Sequence, residues 1–166
     1  MKKQELKDKI AGAVYGFMIG DAMGAATEFM TKESIEEEYP DGVSNIIGGG
    51  YFNWEVGECT DDTQMTSCIM DVITECPHLG NMNKVYFKYL VANEFAKWYK
   101  SNPKDVGNAC RAGIETYLDG DFIKKDGSLF GNGALMRAMP CAIIDRDDLN
   151  TAQAEITHFS VVGLQK

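Results

Sequence analysis

Apolar residues recur at three- and four-residue spacing along most of this chain, and segments that alternate at every second residue are few. That periodicity belongs to helices with one buried face and predicts an all-α fold. The first helix is expected from about Gln4 to about Ala26, with Leu6, Ile10, Ala13, Val14, Phe17, Met18 and Ile19 on its apolar side. Gly12, Gly16, Gly20 and Gly24 form a stripe along it. Each interior glycine costs about 1 kcal/mol relative to alanine. The stripe therefore predicts that another backbone packs very close, or else that the helix approaches a ligand.

A short acidic helix, KESIEEEY, follows Thr31 and ends at Pro40; from Asp41 to Glu58 no period fits. A loop that long inside a domain lines or covers a site, or is a solvated connection whose aromatics tuck onto the core. Helices are expected from Asp61 to about Glu75, from Asn83 to Lys100, from Pro103 as a first-turn residue to a stop at Gly120, and from about Asp147 to Ser160. His78 falls in a turn between the first two of these. A second irregular segment, Asp121 to Gly133, precedes helical periodicity in ALMRAMPCAII, where Pro140 kinks the helix or marks its early turns.

The chain has 166 residues, 45% of them hydrophobic, which suits one domain with an ordinary core. Its formal charge of -9 argues against general attraction to nucleic acid or to anionic membranes. The apolar run near the N-terminus is broken by glycines and is read as a folded helix, not a membrane span. Five scattered cysteines without a C-x-x-C pair read as reduced thiols, and so as a cytoplasmic protein.

The densest chemistry lies in GECTDDTQM, Gly57 to Met65. Thr60, Asp61 and Asp62 stand at a loop-to-helix junction, where Thr and Asp accept hydrogen bonds from the free N–H groups of a first turn. Two readings stand at this point. One is an ordinary N-cap with an acid to spare; the other is a magnesium or manganese site, since a hydroxyl and two carboxylates are the hard oxygen ligands such cations take. Glu28 lies at the C-terminal end of the first helix, where the dipole disfavours an acid, and this mildly favours a role in holding a cation. Gly131, Asn132 and Gly133 precede a helix and can offer backbone N–H groups to phosphate or ribose oxygens, with Arg137 one turn in; the same tripeptide also makes a simple turn.

Taken together, GAVYGFMIGDAMGAATEF (Gly12 to Phe29), GECTDDTQM, GNGALMRAMP (Gly131 to Pro140) and the pair Thr157-His158 resemble the ADP-ribosylglycohydrolases of the dinitrogenase-reductase-activating type, in order and spacing, over nearly the whole chain. The resemblance implies an all-α orthogonal bundle with paired magnesium or manganese ions beside ADP-ribose. By the same resemblance Thr60, Asp61 and Asp62 are metal ligands and Glu28 contacts the metal-bound water or the ribose, so that Glu28 and Asp61 are the catalytic candidates. Gly131, Asn132 and Gly133 wrap the ribose and phosphates, with Arg137 and His158 flanking the ligand. Ala134 replaces the usual serine after the GNG element.

The implied activity is magnesium-dependent hydrolysis of an ADP-ribosyl glycosidic bond on a modified protein or a related compound. Family members are about twice as long, and their second half carries an Asp-x-Asp-Thr element. No such element occurs here, where Asp145-Arg146-Asp147 is followed by Asp148. Residues 1–166 are thus expected to form one domain, truncated relative to the family, that pairs with a second copy or a separate polypeptide. A non-catalytic binder of ADP-ribose and one half of a split hydrolase are the alternatives.

Overall fold

The computed structural model describes residues 2–76, 84–120, 132, 133 and 135–144. It contains α1 (Lys3–Gly24), continued by a 3-10 turn (Ala25–Thr27), then α2 (Lys32–Glu38), α3 (Asp61–Glu75), α4 (Lys84–Lys100), α5 (Asn108–Leu118) and α6 (Met139–Ile144). Among the described residues the only strand-like pairing is one antiparallel bridge between Gly49 and Trp54, so the fold is all-α as its periodicity predicts. The chain divides into two compact units, residues 1–63 and 64–166, and the division falls within α3.

In the first unit α1 buries only Ala22 along its length, and Tyr15, Met18 and Ile19 stay exposed. A Cβ added at Gly12, Gly16, Gly20 or Gly24 would meet nothing within 4 Å. The close backbone approach expected at this stripe is therefore absent among the described residues, and the four positions border open space. α1 is the folded helix read from the sequence. Lys3–Thr27 is apolar and long enough to cross a membrane by length and composition, a test that core helices and signal sequences pass equally. The reason is that no charge interrupts residues 10–20, whose alanines offset the glycines.

The close approach lies elsewhere in this unit, at Gly50. It has φ +68 and runs so near the 3-10 turn that a Cβ would stand 2.5 Å from the Ala25 carbonyl oxygen. Neighbouring Gly49 and Trp54 exchange both backbone hydrogen bonds at 2.8 Å, which buries the indole of Trp54. Phe52 packs against Trp54 at 5.7 Å between ring centroids, and Phe29 and Tyr51 extend the aromatic group outward into solvent. The glycine-rich segment thus folds back on the end of α1, in keeping with the reading in which its aromatics tuck onto the core. α2 starts as expected, since the Thr31 hydroxyl accepts from the Ser34 N–H at 3.2 Å.

The second unit packs α4 against α5 and gathers Met65, Ala96, Val106, Cys110, Ile114 and Met136 into one core, with Ile69, Val72 and Val91 forming another. α5 begins later than its sequence suggests. Asn102 is left-handed (φ 59) and Gly107 is extended, so Pro103 sits in the connection and Asn108 opens the helix. Its end is as read: Gly120, at φ +81, closes it by donating to the Tyr117 carbonyl at 3.1 Å.

Residues 135–137 form a turn, and α6 starts only at Met139, which places Pro140 in its first turn. Proline has no N–H for the carbonyl four residues back and its ring crowds that oxygen. Here that carbonyl belongs to Met136, and it accepts from the Thr66 hydroxyl at 3.1 Å instead. The last expected helix, about Asp147 to Ser160, lies outside the described residues, as does His78.

Candidate functional site

Asp61 and Asp62 occupy the first turn of α3, where their sequence placed them. The cap, however, is not their work. Asp21, near the C-terminal end of α1, reaches across to the α3 N-terminus: its Oδ2 accepts from the Thr60 N–H at 3.0 Å and the Thr63 N–H at 3.2 Å, and its Oδ1 accepts from the Thr60 hydroxyl at 2.6 Å. The Thr60 oxygen in turn accepts from the Asp62 N–H at 3.2 Å. A charged acceptor makes these bonds stronger than neutral ones, and the N-terminal end of the helix dipole favours a carboxylate there.

Sequence reasoning missed this role of Asp21. The signal was available: an acid in the last turn of a helix opposes the dipole, and is well placed only if it serves donors from another element. Glu28 drew that argument, but Asp21 fulfils it.

Thr60 and Asp61 are each only 5% exposed, and Asp62 is half-buried. Asp21 and Thr60 thus collect the Thr60, Asp62 and Thr63 amides, and the carboxylates of Asp61 and Asp62 follow in the same turn. Their oxygens and that of Thr60 are of the kind that hard divalent cations take. Cys59, beside them, donates to the Met18 carbonyl with sulfur to oxygen 3.8 Å apart. Burial raises its thiol pKa and the Asp21 charge adds to this, against a lowering hydrogen bond with Thr63. Glu28 follows the 3-10 turn, half-buried, and Phe29 after it holds φ 63. No three His, Cys, Asp or Glu side chains gather around one point among the described residues.

The second part of the predicted site lies in the other unit and is described by itself. Asn132 is exposed, and its carbonyl accepts from the N–H groups of Leu135 (2.7 Å) and Met136 (3.1 Å), so GNG opens a tight turn. Gly133 has no room for a side chain, because a Cβ would stand 2.6 Å from Cys110 Sγ. Arg137 is 7% exposed. Its Nη1 donates to the Gly133 carbonyl and to Cys110 Sγ at 3.2 Å, and its guanidinium lies 5.3 Å from the Phe95 ring centroid. The Arg137 Nε is buried without a hydrogen-bond acceptor. Arg137 thus holds the turn from beneath, whereas Asn132 faces outward. Gly131, Ala134, Thr157 and His158 lie outside the described residues.

A sequence model of the ADP-ribosylglycohydrolases matches residues 2–165. The chain belongs to that family. It is 35% identical over 170 residues to the ADP-ribosyl-[dinitrogen reductase] glycohydrolase of Rhodospirillum rubrum, an alignment covering 95% of this chain and 54% of that protein. It is 30% identical to the ADP-ribosylarginine hydrolases of Pseudomonas putida and Serratia proteamaculans, over 93% and 92% of its own length and 43% and 41% of theirs. The chain therefore spans about half the length of the curated relatives it matches.

Proposed function

We propose that this member of the ADP-ribosylglycohydrolase family contributes the first metal-ligand cluster and the ribose-phosphate turn of a magnesium-dependent hydrolase that removes ADP-ribosyl groups. The observation that carries the reading is the cap by Asp21. It fixes the α3 N-terminus at which Thr60, Asp61 and Asp62, a hydroxyl and two carboxylates of the kind hard cations take, follow one another. These three residues would hold magnesium or manganese, which when bound orients ribose hydroxyls and lowers the pKa of a coordinated water. Glu28 is the carboxylate assigned to take the proton of the attacking water. Asn132 and the backbone of Gly131 and Gly133 receive the ribose and phosphates, and Arg137 keeps that turn in shape. His158 flanks the ligand.

The substrate class follows from the relatives' names, which refer to ADP-ribosylated dinitrogen reductase and ADP-ribosylarginine. Carried to this chain, they suggest a protein modified through a nitrogen of ADP-ribosylated arginine. Further oxygen ligands would come from water and from protein outside this trio, because Thr60, Asp61 and Asp62 fill only part of an octahedral shell.

The absence of a three-acid group among the described residues favours a second reading, a binder of ADP-ribose without turnover. Calorimetric titration of ADP-ribose with and without magnesium, followed by an assay for ADP-ribose release from an ADP-ribosylated arginine substrate, separates the two. Magnesium-dependent binding with release supports the hydrolase, and binding without release supports the binder. No saturable binding in either condition overturns both.

A further inference from the structure

We infer that Asp21 is a positioning residue that sets the polarity of the Thr60 hydroxyl, keeping its oxygen an electron-pair donor for a divalent cation at the α3 N-terminus. The inference rests on the metal reading of that site. A threonine hydroxyl has one proton and two lone pairs. Asp21 Oδ1, 2.6 Å away, is part of an ionised carboxylate and can only accept, so the hydroxyl proton must point at Asp21. One lone pair accepts from the Asp62 N–H. The other remains, on an oxygen followed in sequence by the two carboxylates of Asp61 and Asp62.

The carboxylate's own orientation is not arbitrary. Its Oδ2 faces two backbone N–H groups, those of Thr60 and Thr63, and neither can become an acceptor. An asparagine at position 21 must therefore turn its amide oxygen to those two donors and its NH2 group toward Thr60 Oγ1. The hydroxyl would then receive two hydrogen bonds, lose both lone pairs, and point its proton toward the cation. Asp21→Asn thus retains most of the cap and reverses one bond. A purely structural role for Asp21 predicts no such separation between folding and metal binding.

The test uses the 166-residue chain and manganese(II), with the free ion followed by electron paramagnetic resonance and the fold by circular dichroism and thermal unfolding. Asp21→Asn is expected to weaken manganese binding at least about tenfold, the usual scale for removing a group that orients a metal ligand, with helix content unchanged. Thr60→Val should match it, and Thr60→Ser should bind as the parent does. Equal manganese affinity in Asp21→Asn and the parent would overturn the polarity assignment while leaving the metal reading in place. If Asp21→Asn does not fold, equal binding by Thr60→Ser and Thr60→Val would overturn it instead. Absence of manganese binding by the parent chain would overturn the metal reading itself, before any variant is compared.

Discussion

The α3 N-terminus in the first unit and the Asn132–Arg137 turn in the second each centre on a charged side chain, and the two charges are treated differently. Asp21 meets two backbone amides and a hydroxyl, all donors with good lengths, at the end of a helix whose dipole suits it. Arg137 is buried, yet among the described residues it meets one carbonyl, one sulfur and an aromatic face, and its Nε has no acceptor. The first arrangement meets its charge with donors from its own unit. The second holds a positive charge that no ion pair among the described residues answers.

The comparison breaks most readily at the two carboxylates beside the Asp21 cap. Asp61→Asn combined with Asp62→Asn should abolish magnesium-dependent ADP-ribose binding in a calorimetric titration, while stability shifts by no more than about 1 kcal/mol, the scale of a cap. A loss of stability without a loss of metal dependence would return both residues to an ordinary cap. Next in size is Asp21→Ala, which leaves two amides and a hydroxyl without their acceptor. It should cost about 3 kcal/mol in urea unfolding, since each unsatisfied buried donor costs about 1–3 kcal/mol.

In the second unit, Gly133→Ala should cost about 2 kcal/mol, because the new methyl group would overlap Cys110 Sγ. Adding Cys110→Ala removes that sulfur, so in a double-mutant cycle the cost of Gly133→Ala should shrink. Additive costs would show that the turn is held by Arg137 alone. The smallest effects belong to α1. Gly12→Ala and Gly16→Ala meet open space and should each stabilise the isolated chain by up to about 1 kcal/mol in thermal unfolding. If the same substitutions impair assembly with a partner in analytical ultracentrifugation, the stripe is the face where that partner packs.

What could be read from the sequence alone was local. The bounds of α1 to α4 follow from apolar spacing and nearby caps: Thr31 opens α2, and Asp61 and Asp62 sit in the first turn of α3 as their neighbours imply. The Gly120 stop is also local, because it needs only a left-handed residue after Leu118. The failures involve partners far along the chain. Asp21 serves residues 39 and 42 positions later, and Met136 gives its carbonyl to Thr66, 70 positions earlier. Neither pairing leaves a periodic trace.

The glycines show the same limit. The Gly12 to Gly24 stripe attracts attention by its spacing but touches nothing described, whereas Gly48, Gly50 and Gly133, which have no such spacing to announce them, are positions where a side chain cannot fit. Of the candidate site, the helix start at Thr60, Asp61 and Asp62 was legible by type and order. That Arg137 lies beneath its turn was not, since burial of a guanidinium depends on Phe95 and Cys110 from other helices.

The chain's two tryptophans fall one in each unit, and they sit in dissimilar surroundings. Trp54 is buried beside Phe52 in the glycine-rich segment, while the half-buried indole of Trp98 donates to Gln64 Oε1 at 2.8 Å. Each unit thus has its own fluorophore. With Trp98→Phe the remaining emission reports the first unit, and with Trp54→Phe it reports the second. Coincident denaturation curves from the two variants would mark the units as one cooperative block, and separate midpoints would mark them as independently melting halves.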